Sequence, residues 1–158
     1  MKNPKFLTQA AIIAAIYAAL TIAMAPISYG PLQVRVSEAL TVLHFFTGAA
    51  IPGLFIGCII ANLYGVIYAG GVMAIDILVG SMATLVAAYL SYKTPAKHLV
   101  PLPPILANGI IIGMELSLLY NLPMLATMGW VALGELIACY GLGYPLLLLL
   151  ERYRERIF

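Results

Sequence analysis

The sequence predicts an all-α integral membrane protein, a single domain over residues 1–158 built as a bundle of six transmembrane helices with both termini cytoplasmic. Three observations carry this expectation. The chain is 63% hydrophobic and only 9% charged, whereas a soluble domain carries roughly a quarter charged residues and has too little interior to hide so much hydrocarbon. Its apolar residues fall in runs of the length that crosses a bilayer core, about 20 residues at 1.5 Å each. The basic residues are divided unevenly among the loops between those runs, as the positive-inside rule requires of a spanning protein.

The first helix is expected over 6–25. Lys2 and Lys5 precede it, and Ala23-Met24-Ala25 at its end looks like a signal-peptide cleavage site. Pro26 would follow the cut, and the apolar run is longer than a signal core, so the helix is read as retained. Pro26, Gly30 and Pro31 then mark a loop. The next stretch, 38–71, would be about 50 Å long as one helix, well beyond a core of about 30 Å. Gly48, Pro52 and Gly53 divide it into a short helix, 37–47, and a long one, 51–68. Helices over 72–92, 102–120 and 124–150 complete the count. Six crossings put Lys2, Lys5, Lys93, Lys97, Arg152, Arg154 and Arg156, seven of the eight basic residues, on one side. Five would set the Lys93 loop against the N-terminus. Arg35 is then the only basic residue outside.

Four acids lie within the apolar part: Glu38, Asp76, Glu115 and Glu135. The helix ends place them in the outer half of the membrane or at its midplane, where ionisable groups are costly and face a cavity or one another. Two readings stay open for Glu38 and Asp76. Either is close enough to a helix start to favour its N-terminal charge, Glu38 following Ser37 as a candidate cap. No such alternative exists for Glu115 and Glu135, for which a polar cavity is the better reading. Asn108 shares a helical face with Glu115, seven residues on. Gly109 with Gly113, and Gly53 with Gly57, form G-x-x-x-G spacings suited to close helix packing. Leu32, Val34 and Val36 alternate with Gln33, Arg35 and Ser37, the period of an extended segment that could cover the cavity's mouth. Cys58 and Cys139, isolated in apolar runs, read as small hydrophobic fillers.

Enzyme chemistry finds little support. The sequence lacks a G-x-x-x-x-G-K-[ST] phosphate loop and an H-E-x-x-H, and one aspartate cannot form a paired-aspartate site. A formal charge of +2 does not suggest a nucleic-acid partner. Two functions remain: a substrate-binding membrane subunit driven by a separate ATPase, or a stand-alone secondary transporter of a small cationic or purine-like solute with Glu115 or Glu135 as proton relay. Transporters of the second kind usually show repeated halves, and no convincing repeat is present.

The stretches "YGPLQVRVSEALTVL", "AIPGLFIGCIIANLYG", "DILVGSMATLVAAYL" and "PLPPILANGIIIGMEL" together resemble the queuosine-precursor transporter family, over nearly the whole chain. One departure is His44, where the family pattern has proline. The resemblance implies a substrate-binding (S) component of an energy-coupling factor (ECF) transporter in a prokaryotic plasma membrane. It would capture a 7-deazaguanine base such as preQ1 or preQ0 at the outer face, with no cofactor of its own. Its partners would be a transmembrane coupling subunit and two ATPase subunits that consume ATP. Docking through A-x-x-x-A spacing on the first helix would fall to Ala10, Ala14 and Ala18, with Ala11, Ala15 and Ala19 beside them; the alternative is an ordinary contact within the bundle. The substrate-binding candidates are Gln33, Arg35, Glu38, Asp76, Asn108, Glu115 and Glu135. Adjacent N–H donors on a guanine edge would match a carboxylate's two oxygens, and an aminomethyl cation could pair with a second carboxylate. Tyr29, Tyr120 or Trp130 could stack on the ring or belong to the interfacial aromatic belt.

Overall fold

The computed structural model describes residues 3–30 and 33–157; Lys2, Pro31 and Leu32 lie outside them. Every regular element among the described residues is helical: α1 Pro4–Ala23, α2 Ala25–Ser28, a 3-10 segment Val36–Phe45, α3 Ala50–Ala69, a 3-10 segment Gly71–Ile77, α4 Val79–Lys93, a 3-10 turn Lys97–Leu99, α5 Leu102–Tyr120, α6 Met124–Leu136, a π segment Ile137–Gly143, α7 Tyr144–Arg152 and α8 Arg154–Ile157. Five continuous stretches among the described residues are long and apolar enough to cross a membrane: Pro4–Ala23, Ala50–Ala69, Ala74–Lys93, Lys97–Tyr120 and Met124–Arg152. This is a multi-pass helical membrane protein.

The expected helix over 37–47 differs from the other five. It is ten residues of 3-10 winding, Val36–Phe45, about 20 Å long at 2.0 Å per residue and so shorter than the hydrocarbon core. Eight consecutive residues, Ser37 to His44, are buried, so protein surrounds it on every side. Its direction follows from its neighbours. A Cβ on Gly53 would meet Ala10 and Ile13, and one on Gly57 would meet Ala14 and Tyr17; both residue numbers rise together, so α1 and α3 run parallel. The chain must therefore return between them, and Val36–Phe45 is that return. Ser37 Oγ lies 2.7 Å from Thr21 Oγ1 near the end of α1, and just past the segment Thr47 Oγ1 donates to Gln9 Oε1 near its start, at 3.1 Å.

Glycines set the other close crossing. A Cβ on Gly109 would come within 2.9 Å of Ala132, and one on Gly113 within 2.6 Å of Met128, so α5 and α6 touch backbone to backbone as small-residue spacing allows. The last long helix changes winding for a local reason. Pro145 has no N–H to donate, and its ring would strike the carbonyl of residue 141 in an α-helix. The wider π segment Ile137–Gly143 lies just before it and carries that mismatch.

One end of the bundle gathers the start of α1, the end of the return segment, the α4–α5 connection and the C-terminus. Lys97 Nζ pairs with Glu151 Oε2 at 2.9 Å, Tyr140 OH donates to the His98 carbonyl at 2.8 Å, and the Arg154 guanidinium lies over the Phe45 ring at 6.0 Å. Lys5, Lys93, Lys97, Arg152 and Arg154 all belong to this end. At the opposite end Asn121, left-handed at φ 52, turns the chain from α5 into α6, a conformation asparagine tolerates better than most residues.

Ala10, Ala14 and Ala18, the expected docking residues, are buried at 5–7% exposure, and the α3 glycines pack on the first two. In this structure Ala10 and Ala14 form part of the α1–α3 contact within the bundle. The adjoining row, Ala11, Ala15 and Ala19, is exposed.

Candidate functional site

Six of the seven expected binding residues come together toward the Arg35 end of the return segment. Burial alternates as the pattern implies, with Gln33, Arg35 and Ser37 buried and Val34 and Val36 only partly so, but the expected extended run is not kept: Arg35 is extended, Gln33 is left-handed at φ 40, and the chain winds into the 3-10 helix from Val36. Arg35 turns inward and is 5% exposed. Its Nη2 forms an ion pair with Asp76 Oδ2, and its Nη1 donates to Cys58 Sγ at 3.6 Å. Asp76 is held in turn by its backbone, whose carbonyl accepts from Asn62 Nδ2 at 2.7 Å. Gly80 packs so tightly on this pair that a Cβ there would lie 2.1 Å from Asp76 Oδ1.

Glu38 is fully buried, and its Oε1 accepts from Tyr17 OH at 2.5 Å. The expected capping role of Ser37 is not what the structure shows: no side chain caps this segment, and the Ser37 hydroxyl bonds Thr21 instead. Glu135, 3% exposed, accepts from Asn108 Nδ2 at 3.0 Å and from the Cys139 thiol at 3.6 Å. The same thiol lies 3.5 Å from the Glu38 carbonyl, so Cys139 links the two carboxylate regions. Gln33, at φ 40 and 2% exposed, closes the cluster from the loop.

Gln33, Arg35, Asn108 and Glu135 line one cavity together with Gly80, Ile112 and Val131. Its volume is about 10 Å³, the space one water molecule needs. Glu115 does not line this cavity. It lies two turns from Asn108 toward the C-terminal end of α5, is 7% exposed, and neither of its oxygens has a protein hydrogen-bond partner. Arg35 Nε, Gln33 Nε2, Glu38 Oε2 and Asp76 Oδ1 are likewise buried without one. Native proteins leave few such groups, and each calls for an explanation. The region thus combines one guanidinium and four carboxyl groups with spare donors and acceptors directed inward. Among the described residues no three His, Cys, Asp or Glu side chains gather as metal ligands.

Several participants carry little signal in the sequence. Cys58, expected to be a filler, accepts from Arg35, from Asn62 at 3.4 Å and from Thr84 at 3.4 Å. Tyr17, Thr21 and Asn62 were not among the expected residues either. Asn62 could have been found, since an amide in the middle of an apolar run needs a partner. Of the aromatics, Tyr29 packs against Tyr64, Tyr68 and Gly65 and donates to the Ala61 carbonyl at 2.6 Å. Burial pushes its phenol up to about 12, which keeps it a donor. Trp130 is 54% exposed on the outer surface of the bundle, where the interfacial belt would lie. Tyr120 packs on the cluster of Ala83, Ile112, Leu116 and Val131.

A cluster of buried charged groups inside a helical membrane bundle marks a candidate functional site, and known proteins resemble this chain. A curated relative, the queuosine precursor transporter QueT of Lactococcus lactis subsp. cremoris, is 31% identical over 149 residues, which covers 82% of this chain and 83% of the relative. No solved structure matches. The profile of the QueT transporter family matches residues 7–152, and the chain accordingly belongs to that family, a family of transporters and not of enzymes.

Proposed function

We propose that the chain is the membrane-embedded S component of an ECF-type importer in a prokaryotic plasma membrane, and that it captures a queuosine precursor, a 7-deazaguanine base, at its outer face. A transmembrane coupling subunit and two ATPase subunits would supply the energy from ATP. The observation that carries this reading is the inward-directed set of four carboxyl groups against one guanidinium, several of whose atoms lack a protein partner. Such a set favours a small ligand with several N–H donors and a positive charge, as the aminomethyl base has.

The topology proposed has six crossings, counting the buried return Val36–Phe45, with both termini cytoplasmic. Its support is the gathering of Lys5, Lys93, Lys97, Arg152 and Arg154 at one end. The single domain would dock with its coupling subunit through the exposed Ala11, Ala15 and Ala19, because the neighbouring alanine row is spent on α3.

Calorimetric titration of the detergent-solubilised protein with the aminomethyl and cyano bases tests the substrate. Glu115→Gln is expected to weaken the aminomethyl base while sparing the cyano analogue, since only the cation gains from the carboxylate. A charge-assisted hydrogen bond is worth about 1.5–3 kcal/mol, roughly tenfold to over a hundredfold in affinity. Failure of either base to bind the unsubstituted protein would refute the reading.

A further inference from the structure

Arg35 and Glu135 reach the same cavity from different elements, the loop before the return segment and helix α6. Each is already fixed on its far side. Asp76 and Cys58 hold the terminal nitrogens of Arg35, which leaves Nε as a buried donor with no protein acceptor. Asn108 and Cys139 each engage one oxygen of Glu135, and a carboxylate has about four acceptor positions, so capacity remains. Ile112 and Val131 provide apolar walls, and Gly80 adds no side chain. Gln33, the remaining polar lining residue besides Asn108, has a left-handed backbone that a residue with a Cβ adopts only at a cost. It is the lining residue least costly to displace, and a cavity of about 10 Å³ admits a planar ring only if something is displaced.

We infer that Arg35 and Glu135 form the specificity pair for the ring itself. Arg35 donates to a ring carbonyl oxygen, while Glu135 accepts from the adjacent ring N–H and the exocyclic amino group beyond it. This rests on the 7-deazaguanine reading above and adds which edge of the base is recognised and by which side chains. An oxo group beside two N–H donors satisfies both residues at once. An adenine-like edge offends both, because it sets an amine against the guanidinium and an unprotonated ring nitrogen against the carboxylate. A hypoxanthine-like edge keeps the oxo group and loses one charge-assisted bond.

Titration of the unsubstituted protein with 7-deazaguanine, 7-deazahypoxanthine and 7-deazaadenine tests the pair, with the aminomethyl base as reference. Loss of the 2-amino group is expected to weaken binding by roughly tenfold to a hundredfold, and the adenine-like ring should not bind measurably. In Glu135→Gln the ratio between the first two ligands should collapse to within about threefold, because an amide keeps a single acceptor. Equal affinity for 7-deazaguanine and 7-deazahypoxanthine in the unsubstituted protein overturns the pair and leaves the substrate reading standing. If the aminomethyl base itself does not bind, both fall together. The comparison of ligands on the unsubstituted protein needs no variant to fold.

Discussion

Gly57→Ala tests whether the α1–α3 crossing supports the polar site. A Cβ at position 57 would lie 2.9 Å from the Ala14 carbonyl oxygen, 2.9 Å from Tyr17 Cβ and 3.1 Å from Ala14 Cα. Two of those atoms are backbone, so no rotamer change relieves the contact and the helices must separate. Overpacking of this kind costs about 1–3 kcal/mol. Separation also draws Tyr17 away from Glu38, to which it donates at 2.5 Å, and a buried carboxylate that loses its donor adds about 1–3 kcal/mol. The sum, roughly 2–6 kcal/mol, corresponds to a lowering of the melting temperature by about 4 °C or more for a chain of this size. Thermal unfolding in detergent followed by tyrosine fluorescence measures it. Gly129→Ala is the control, since nothing lies within 4 Å of a Cβ there, and it should melt at or above the parent temperature. A Gly57→Ala protein as stable as the Gly129→Ala control would refute the close crossing, and with it the parallel arrangement of α1 and α3.

Three further outcomes are expected. Gly80→Ala should displace Asp76 from Arg35, because a Cβ would collide with Asp76 Oδ1; separating a buried ion pair leaves both charges uncompensated, so ligand affinity should fall tenfold or more in calorimetry and the melting temperature should fall with it. Ala15→Leu should abolish co-purification with the coupling subunit and leave ligand affinity intact, whereas Ala14→Leu should destabilise the isolated protein, as Ala14 is 5% exposed beneath Gly57. Single cysteines at positions 97 and 121, with Cys58 and Cys139 replaced, should label from opposite sides of intact cells, position 121 from outside; labelling from the same side would overturn the six-crossing topology.

The long helices were legible because hydrocarbon thickness fixes their length and punctuation fixes their ends. The helix expected over 102–120 matches Leu102–Tyr120 at both limits, with Pro103 and Pro104 at its start and Asn121 at its end. The first helix begins two residues early, at Pro4, because the Asn3 side chain caps Lys5 N at 3.1 Å. Winding was not legible. Whether ten apolar residues form α or 3-10 turns depends on the distance the return must cover between Thr21 and Gln9, and that distance is set by other helices. The helix expected unbroken over 124–150 contains the π segment Ile137–Gly143 before Pro145, and a π segment is only one of several ways to absorb a proline.

The site divides along the same line. Formal charge in an apolar run is visible to any reader of the sequence, so Arg35 and all four buried acids could be named in advance. What satisfies a buried charge is a matter of three-dimensional neighbours, and ordinary membrane residues serve. Tyr17 would fit any helix, yet its hydroxyl holds Glu38. Cys58 would fit any core, yet it takes three polar contacts, from Arg35, Asn62 and Thr84. The small residues show the converse. Two alanine rows run along α1 one residue apart, equal in composition and spacing, and only the glycines of a helix some forty residues later decide which row is buried. A row already filled by Gly53 and Gly57 cannot also receive a partner without opening the bundle, which would pull Tyr17 off Glu38. Under the proposed function, the exposed row lets docking proceed with the ligand site intact, so that substrate capture and coupling use different faces of one helix.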